Sequence, residues 1–176
     1  MNPEVSKAVI NGNIEFIKNY CRNGEDQEKF IEVMTLGIDD KTREESQNGL
    51  SALSLAAKNN HNLIVNFIIE TAMRNVQTQE LLAKQLLEKN EQGRNVLHET
   101  VSTGNAETIE KLCATARILY AEGVNVSEPN DLANFVNLTE DEHGNTALHL
   151  SVRQTNFANY QALIAANANP TILARN

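Results

Sequence analysis

Four histidines and two cysteines are the side chains of this 176-residue sequence whose types most readily carry chemistry. Their spacing decides against most of it. His61, His98, His143 and His149 include no pair at i, i+4, and no carboxylate completes a ligand set, so neither a metal site nor a cofactor is expected. Cys21 and Cys113 stand 92 residues apart with no Cys-x-x-Cys motif, which reads as two reduced core thiols and not as a disulfide framework. No phosphate-binding glycine loop, Gly-x-Ser-x-Gly elbow or dinucleotide fingerprint occurs. With no nucleophile, base and orienting group in a recognisable set, no catalytic residue is named and the chain is not expected to be an enzyme. The run Glu140-Asp141-Glu142 reads as a solvated loop, with docking of a basic partner as its alternative use.

The elements that hold these residues come from composition first. The chain is 41% hydrophobic and 22% charged with net charge −8, enough for one domain or a short repeat array with its own core. A pI near 5.0 lacks the basic footprint of a nucleic-acid binder. There is no run of 18 apolar residues and no secretory pattern at positions 1–4, so no membrane association and a cytoplasmic location are expected. Delivery into a host cell would follow if the source were an intracellular microbe. Asparagine occurs 24 times and favours helix caps and turns, so helix ends should be dense. That excess also makes the triplets Asn125-Val-Ser and Asn137-Leu-Thr chance matches, read as unmodified.

Three segments align without gaps: Gly49-Leu-Ser-Ala-Leu-Ser-Leu-Ala-Ala, Gly93-Arg-Asn-Val-Leu-His-Glu-Thr-Val and Gly144-Asn-Thr-Ala-Leu-His-Leu-Ser-Val. Each is followed by a polar pair, a small break and a second apolar helix. The sequence here resembles the ankyrin repeat family, whose hallmark is Gly-x-Thr-Pro-Leu-His before two short antiparallel helices. Ala8-Val9, Gly12-Asn13 and the run from Ile14 to Cys21 match the helical part of a fourth unit. The resemblance implies an all-α solenoid of about four helix pairs with short hairpin turns, and His98 and His149 bonding to neighbouring turns. His61 then falls in an inter-helix turn and His143 at a hairpin tip.

The residues support this reading on their own terms. Ser51, Asn95 and Thr146 suit N-caps. Leu53, Leu97 and Leu148 face the core, and a glycine or asparagine between the helices can take the left-handed conformation. Departures are the missing motif proline, replaced by Ala52, Val96 and Ala147, Ser54 in place of histidine, and Lys111 at an apolar position. The motif glycines lie 44 and 51 residues apart, against about 33 for a standard unit.

Every junction therefore carries an insertion. Units fall at about 3–27, 46–74, 90–125 and 141–173, with insertions at about 28–45, 75–89 and 126–140, all within one domain over 1–176. Phe30, Val33 and Met34 share a helical face in a segment that stops at Gly37. Leu81, Leu82, Leu86 and Leu87 take helical spacing behind a Thr78 cap. The second helix of the third unit should run through residues 117–120, and a short helix should follow Pro129.

A non-enzymatic protein-binding module is the expected function, with a regulatory or substrate-recognition segment of a larger enzyme as the alternative. The last three residues stand in register with the start of a further repeat, and self-association through the last repeat is a third reading, though a monomer is expected. Carried over from the family, the tip residues are Gln47, Asn48, Leu50, Glu91, Gln92, Arg94, Glu142, His143 and Asn145. The inner-helix residues are Leu55, Lys58, Asn59, Glu99, Ser102, Thr103, Leu150, Arg153 and Gln154. Leu50, Leu55 and Leu150 are apolar where solvent favours polar groups, which points either to a protein partner or to packing on an adjacent repeat.

Overall fold

The computed structural model describes residues 3–35, 50–127, 129–140 and 143–174. Its helices begin where the asparagines and their relatives stand. Asn13 opens α2 (Ile14–Tyr20) after α1 (Pro3–Ile10), and Asp26 opens α3 (Gln27–Met34). Ser51 opens α4 (Ala52–Lys58), α5 follows (Asn62–Ala72), and Asn75 opens α6 (Val76–Leu87). Asn95 and Asn105 open α7 (Val96–Thr103) and α8 (Ala106–Ala121). After α9 (Pro129–Ala133), Thr146 opens α10 (Ala147–Arg153) and Asn156 opens α11 (Phe157–Ala165). Each named cap accepts a backbone N–H that the first helical turn leaves without a partner.

Four pairs, α1/α2, α4/α5, α7/α8 and α10/α11, stack in one row, with α1, α4, α7 and α10 in consecutive contact. The turn inside each pair takes a left-handed residue: Gly12, Asn60, Gly104 and Thr155, with φ of 71°, 59°, 82° and 54°. Hydrogen bonds between pairs tie the turn edges together. His61 Nε2 donates to the Ile10 carbonyl at 2.8 Å, Thr103 Oγ1 to the Ala57 carbonyl at 3.4 Å, and Asn159 Nδ2 to the Val101 carbonyl at 3.1 Å. The departures from the motif are absorbed locally. Ser54 bonds to the cap hydroxyl of Ser51, and Lys111 reaches Glu70 at 2.8 Å.

The insertions form a third layer. Helix α3 touches α4 and α6, and α6 touches all four helices of the second and third pairs as well as α9. Phe30, Val33 and Met34 of α3 are buried as their spacing predicts, and the Phe30 ring stands edge-on to Phe67 of α5 at 6.1 Å. Leu82 and Leu86 are buried, with Leu81 and Leu87 partly so. Gln85 of α6 donates to the Met34 carbonyl. The expected Thr78 cap is corrected: α6 starts three residues earlier behind Asn75, whose extended backbone suits a cap. Thr78 instead donates to the carbonyls of Ala72 and Asn75 at 2.8 and 2.9 Å, which clamps the α5–α6 corner.

Helix α8 runs sixteen residues to Ala121, through the expected 117–120 stretch, and stops at Gly123 in the left-handed region. A 3-10 turn (Phe135–Asn137) follows α9. The expected stop at Gly37 and the first hairpin lie outside the described residues. Among those described, Thr139 and Thr146 form an isolated antiparallel bridge and no strand is present.

Candidate protein-binding face

The hairpins that precede α7 and α10 are built around two side chains that sequence reasoning did not select. Asn90 Oδ1 accepts from the backbone of Gln92 at 2.9 Å and Arg94 at 3.0 Å, an Asx turn signalled by an asparagine three residues before Gly93. Glu140 anchors the next hairpin, its backbone N–H bonded to the Asn145 carbonyl at 2.9 Å. Its carboxylate is buried, which corrects the solvated-loop reading of that position. The reason is its partners: Asn145 Nδ2 donates at 2.6 Å and Arg94 Nε at 3.0 Å. Burial opposes the charge on Glu140, but these two hydrogen bonds and the Arg94 charge outweigh it and hold the carboxyl below its usual range.

His98 joins the same hairpin from α7. Its Nδ1 accepts the cap N–H of Asn95, so Nε2 carries the proton and donates to the Asn145 carbonyl at 3.2 Å. Burial lowers its pKa to about 4 against the opposing pull of that carbonyl, leaving a neutral bridge between repeats. His149 makes the corresponding bond to the Thr146 cap N–H at 3.0 Å.

The expected contact residues divide by burial. Leu50, Leu55, Leu150, Glu99 and Asn145 are buried, and for the three leucines this is the packing on an adjacent repeat that the sequence left as one of two readings. Each leucine belongs to the core shared by adjacent repeats. Glu99 is covered by the hairpin in front of it and accepts from Asn90 Nδ2 at 3.0 Å; burial raises its pKa despite Lys58 and Arg94 nearby. Lys58, Asn59, Arg94 and Thr103 are half-buried, and Glu91, Gln92, Ser102, His143, Arg153 and Gln154 are exposed. Gln47, Asn48 and Glu142 lie outside the described residues. What remains is a polar face of stacked inner helices, its Ser102 and Asn59 side chains tied back to their own helix carbonyls, beside tips locked by Arg94 and Glu140. Such a face is held by its own hydrogen bonds, and among its described residues no nucleophile stands against a base.

A family model described as Ankyrin repeats (3 copies) matches residues 5–119. That span takes in the first three helix pairs and ends within α8. The motif at 144–149 lies beyond it, although α10 and α11 continue the same stack. No curated protein matches the chain.

Proposed function

Because this chain belongs to the ankyrin repeat family, whose repeats are generally non-catalytic protein–protein interaction modules, we propose that it binds a partner protein through its inner-helix face and hairpin tips. The observation that carries this reading is the row Lys58, Ser102, Arg153 and Gln154 along three stacked inner helices, with Ser102, Arg153 and Gln154 open to solvent and Lys58 half-buried beside them. Glu91, Gln92 and His143 extend it along the tips, with Asn59, Arg94 and Thr103 half-buried at its floor. The whole chain acts as one domain with no catalytic residue and no cofactor, and the protein works in the cytoplasm. Two buried free thiols, Cys21 and Cys113, support a reducing compartment.

Among the described residues no helix is long and apolar enough to cross a membrane, and the partner is taken to be a protein of mixed polarity. The test is affinity capture with the intact chain, followed by titration of the captured protein against variants. Arg153→Glu and Lys58→Ala should each weaken binding by more than about 1 kcal/mol. Glu107→Lys, on the exposed side of α8, should change it far less. Binding lost through Glu107→Lys and unaffected by the other two would move the site to the outer helices.

A further inference from the structure

The insertion between the third and fourth repeats builds a cleft that the stacked pairs alone would not form. Helix α8 is carried on to Ala121, and α9 with the 3-10 turn folds back against it, burying Val126, Leu132 and Phe135. The backbone N–H of Asn169 donates to Asn137 Oδ1 at 2.7 Å, which ties the insertion to the closing turn of the fourth repeat. Between these parts lies a cavity of about 400 Å³ on the side of the outer helices. It sits between two successive repeats, and every residue that lines it falls within 113–167.

The floor of the cleft is apolar, with Cys113, Ala116, Leu132 and Phe135 all buried. Its rim is polar and rich in donors. Arg117 and Tyr120 stand on the last turns of α8, Tyr120 49% exposed, and the insertion and closing turn add Asn134, Asn137 and Asn167. No carboxylate lines the cavity, in a chain with 23 acidic residues against 15 basic ones. Among the described residues Arg117 has neither an ion pair nor a hydrogen bond, and the Tyr120 hydroxyl has none either. The bond from Asn169 occupies the Asn137 side-chain oxygen and leaves its Nδ2 to donate. Guanidinium, phenol and amide N–H groups all donate, whereas an ionised carboxylate or phosphate only accepts. An apolar floor of about this size under a few placed polar groups is the make-up of a small-molecule site.

We infer that this cleft binds a small anionic ligand with a planar apolar body, its carboxylate or phosphate on Arg117 and its ring over the floor of Leu132 and Phe135. Arg117 offers such a group two parallel N–H donors, and the apolar floor beside it makes that bond stronger than it is in open solvent. The rings of Tyr120 and Phe135 suit a flat body, which gains from stacked or edge-on contact. The cleft shares no residue with the row Lys58, Ser102, Arg153 and Gln154, so the ligand and a partner protein bind at separate places.

The test is fluorescence titration of the intact chain with anilinonaphthalene sulfonate, an anion on planar rings, beside phenylnaphthylamine, which has nearly the same rings and no charge. The anion should fill one saturable site with a dissociation constant below about 100 µM, and the neutral compound should bind at least tenfold more weakly. Arg117→Gln should weaken the anion at least tenfold and leave the neutral compound unchanged. Ala133→Phe, which places a ring at the cavity wall, should weaken both. Phe157→Glu, on the exposed side of α11, should leave the affinity for the anion as it is. Circular dichroism checks that each variant keeps its helices. Phenylacetate and phenyl phosphate then tell a carboxylate from a phosphate ligand by which displaces the dye at the lower concentration. Equal affinity for the two dyes, an anion unmoved by Arg117→Gln, displacement by neither competitor, or loss of the site through Phe157→Glu would overturn the inference.

Discussion

Arg94 Nε and Glu140 Oε2 meet at 3.0 Å across 46 residues of sequence, so the tip of one hairpin is bolted to the tip of the next. The carboxylate is 2% exposed and the guanidinium about a third, which makes the pair a partly desolvated link between repeats. Arginine is the suitable cation because it stays charged when half-buried and offers a donor of fixed direction. The same contact removes part of the Arg94 charge from any partner. Arg153, which is exposed, is therefore the stronger candidate for a binding anchor.

Removing Arg94 leaves a buried carboxylate with Asn145 as its hydrogen-bond donor and His143 Nδ1 at 3.6 Å. Arg94→Met should destabilise the fold by about 2 kcal/mol, as expected for a hydrogen bond between charged groups that is lost on one side. Adding Glu140→Gln should recover part of that loss, since the amide has no charge left to compensate. Urea unfolding of the two single variants and the double variant gives the coupling. Additive losses would mean that the two hairpins are held by other contacts.

His98 predicts an acid dependence of opposite sign to that of its neighbour Glu99. In the fold its pKa is about 4, below the unfolded 6.5, so between those values the unfolded chain binds the extra proton and stability falls as pH falls. At pH 5 the loss relative to neutral pH is about 2 kcal/mol. Glu99 is raised by burial, so its protonation in acid favours the fold and offsets part of this. Unfolding free energies at pH 7.5 and 5.0 should therefore converge in His98→Gln and diverge further in Glu99→Gln. An unchanged pH slope in His98→Gln would place the acid sensitivity elsewhere.

The repeat frame was legible because its signals are local. A cap, a leucine two residues on and a left-handed turn residue recur in phase, and each dictates the conformation of a few adjacent residues. Insertion helices were legible in part: the apolar face of Phe30, Val33 and Met34 demands burial, but a sequence cannot say that α6 bridges α3 and α9. The burial of Leu50, Leu55 and Leu150 was open for the same reason, because a leucine facing the next repeat and one facing solvent obey the same helical period. Glu140 was misread outright. Its neighbours in sequence are acidic, and the groups that neutralise it, Arg94 and Asn145, come together only when two hairpins fold side by side.

Thr155 carries strain that its counterparts avoid. It is β-branched at φ 54°, where the corresponding residues are Gly12, Asn60 and Gly104. Thr155→Asn should stabilise the protein by about 0.5–1 kcal/mol, since asparagine tolerates the left-handed region far better. Thermal melting decides it: a lower midpoint would show that the threonine side chain supplies more than the turn geometry costs.

The insertion helices raise the question of whether they decorate a repeat array or belong to its cooperative unit. Leu86 of α6 is fully buried, and α6 lies against both helices of the second and third repeats. In a repeat array, stability is close to a sum of unit and nearest-neighbour terms, and a helix touching two successive units contributes to the coupling between them. Leu86→Ala should therefore cost about 2–5 kcal/mol, the range for a buried leucine whose site cannot collapse. The loss should appear as earlier unfolding of the whole chain. Lys84→Ala, exposed on the same helix, controls for helix propensity and should have almost no effect. Native-state amide exchange separates the two architectures. If α6 is integral, its amides exchange with the same free energy as those of α7, and Leu86→Ala lowers both together. Should α6 exchange at a much lower free energy and α7 ignore the substitution, the third layer would be an attachment, and the row of four helix pairs would stand without it.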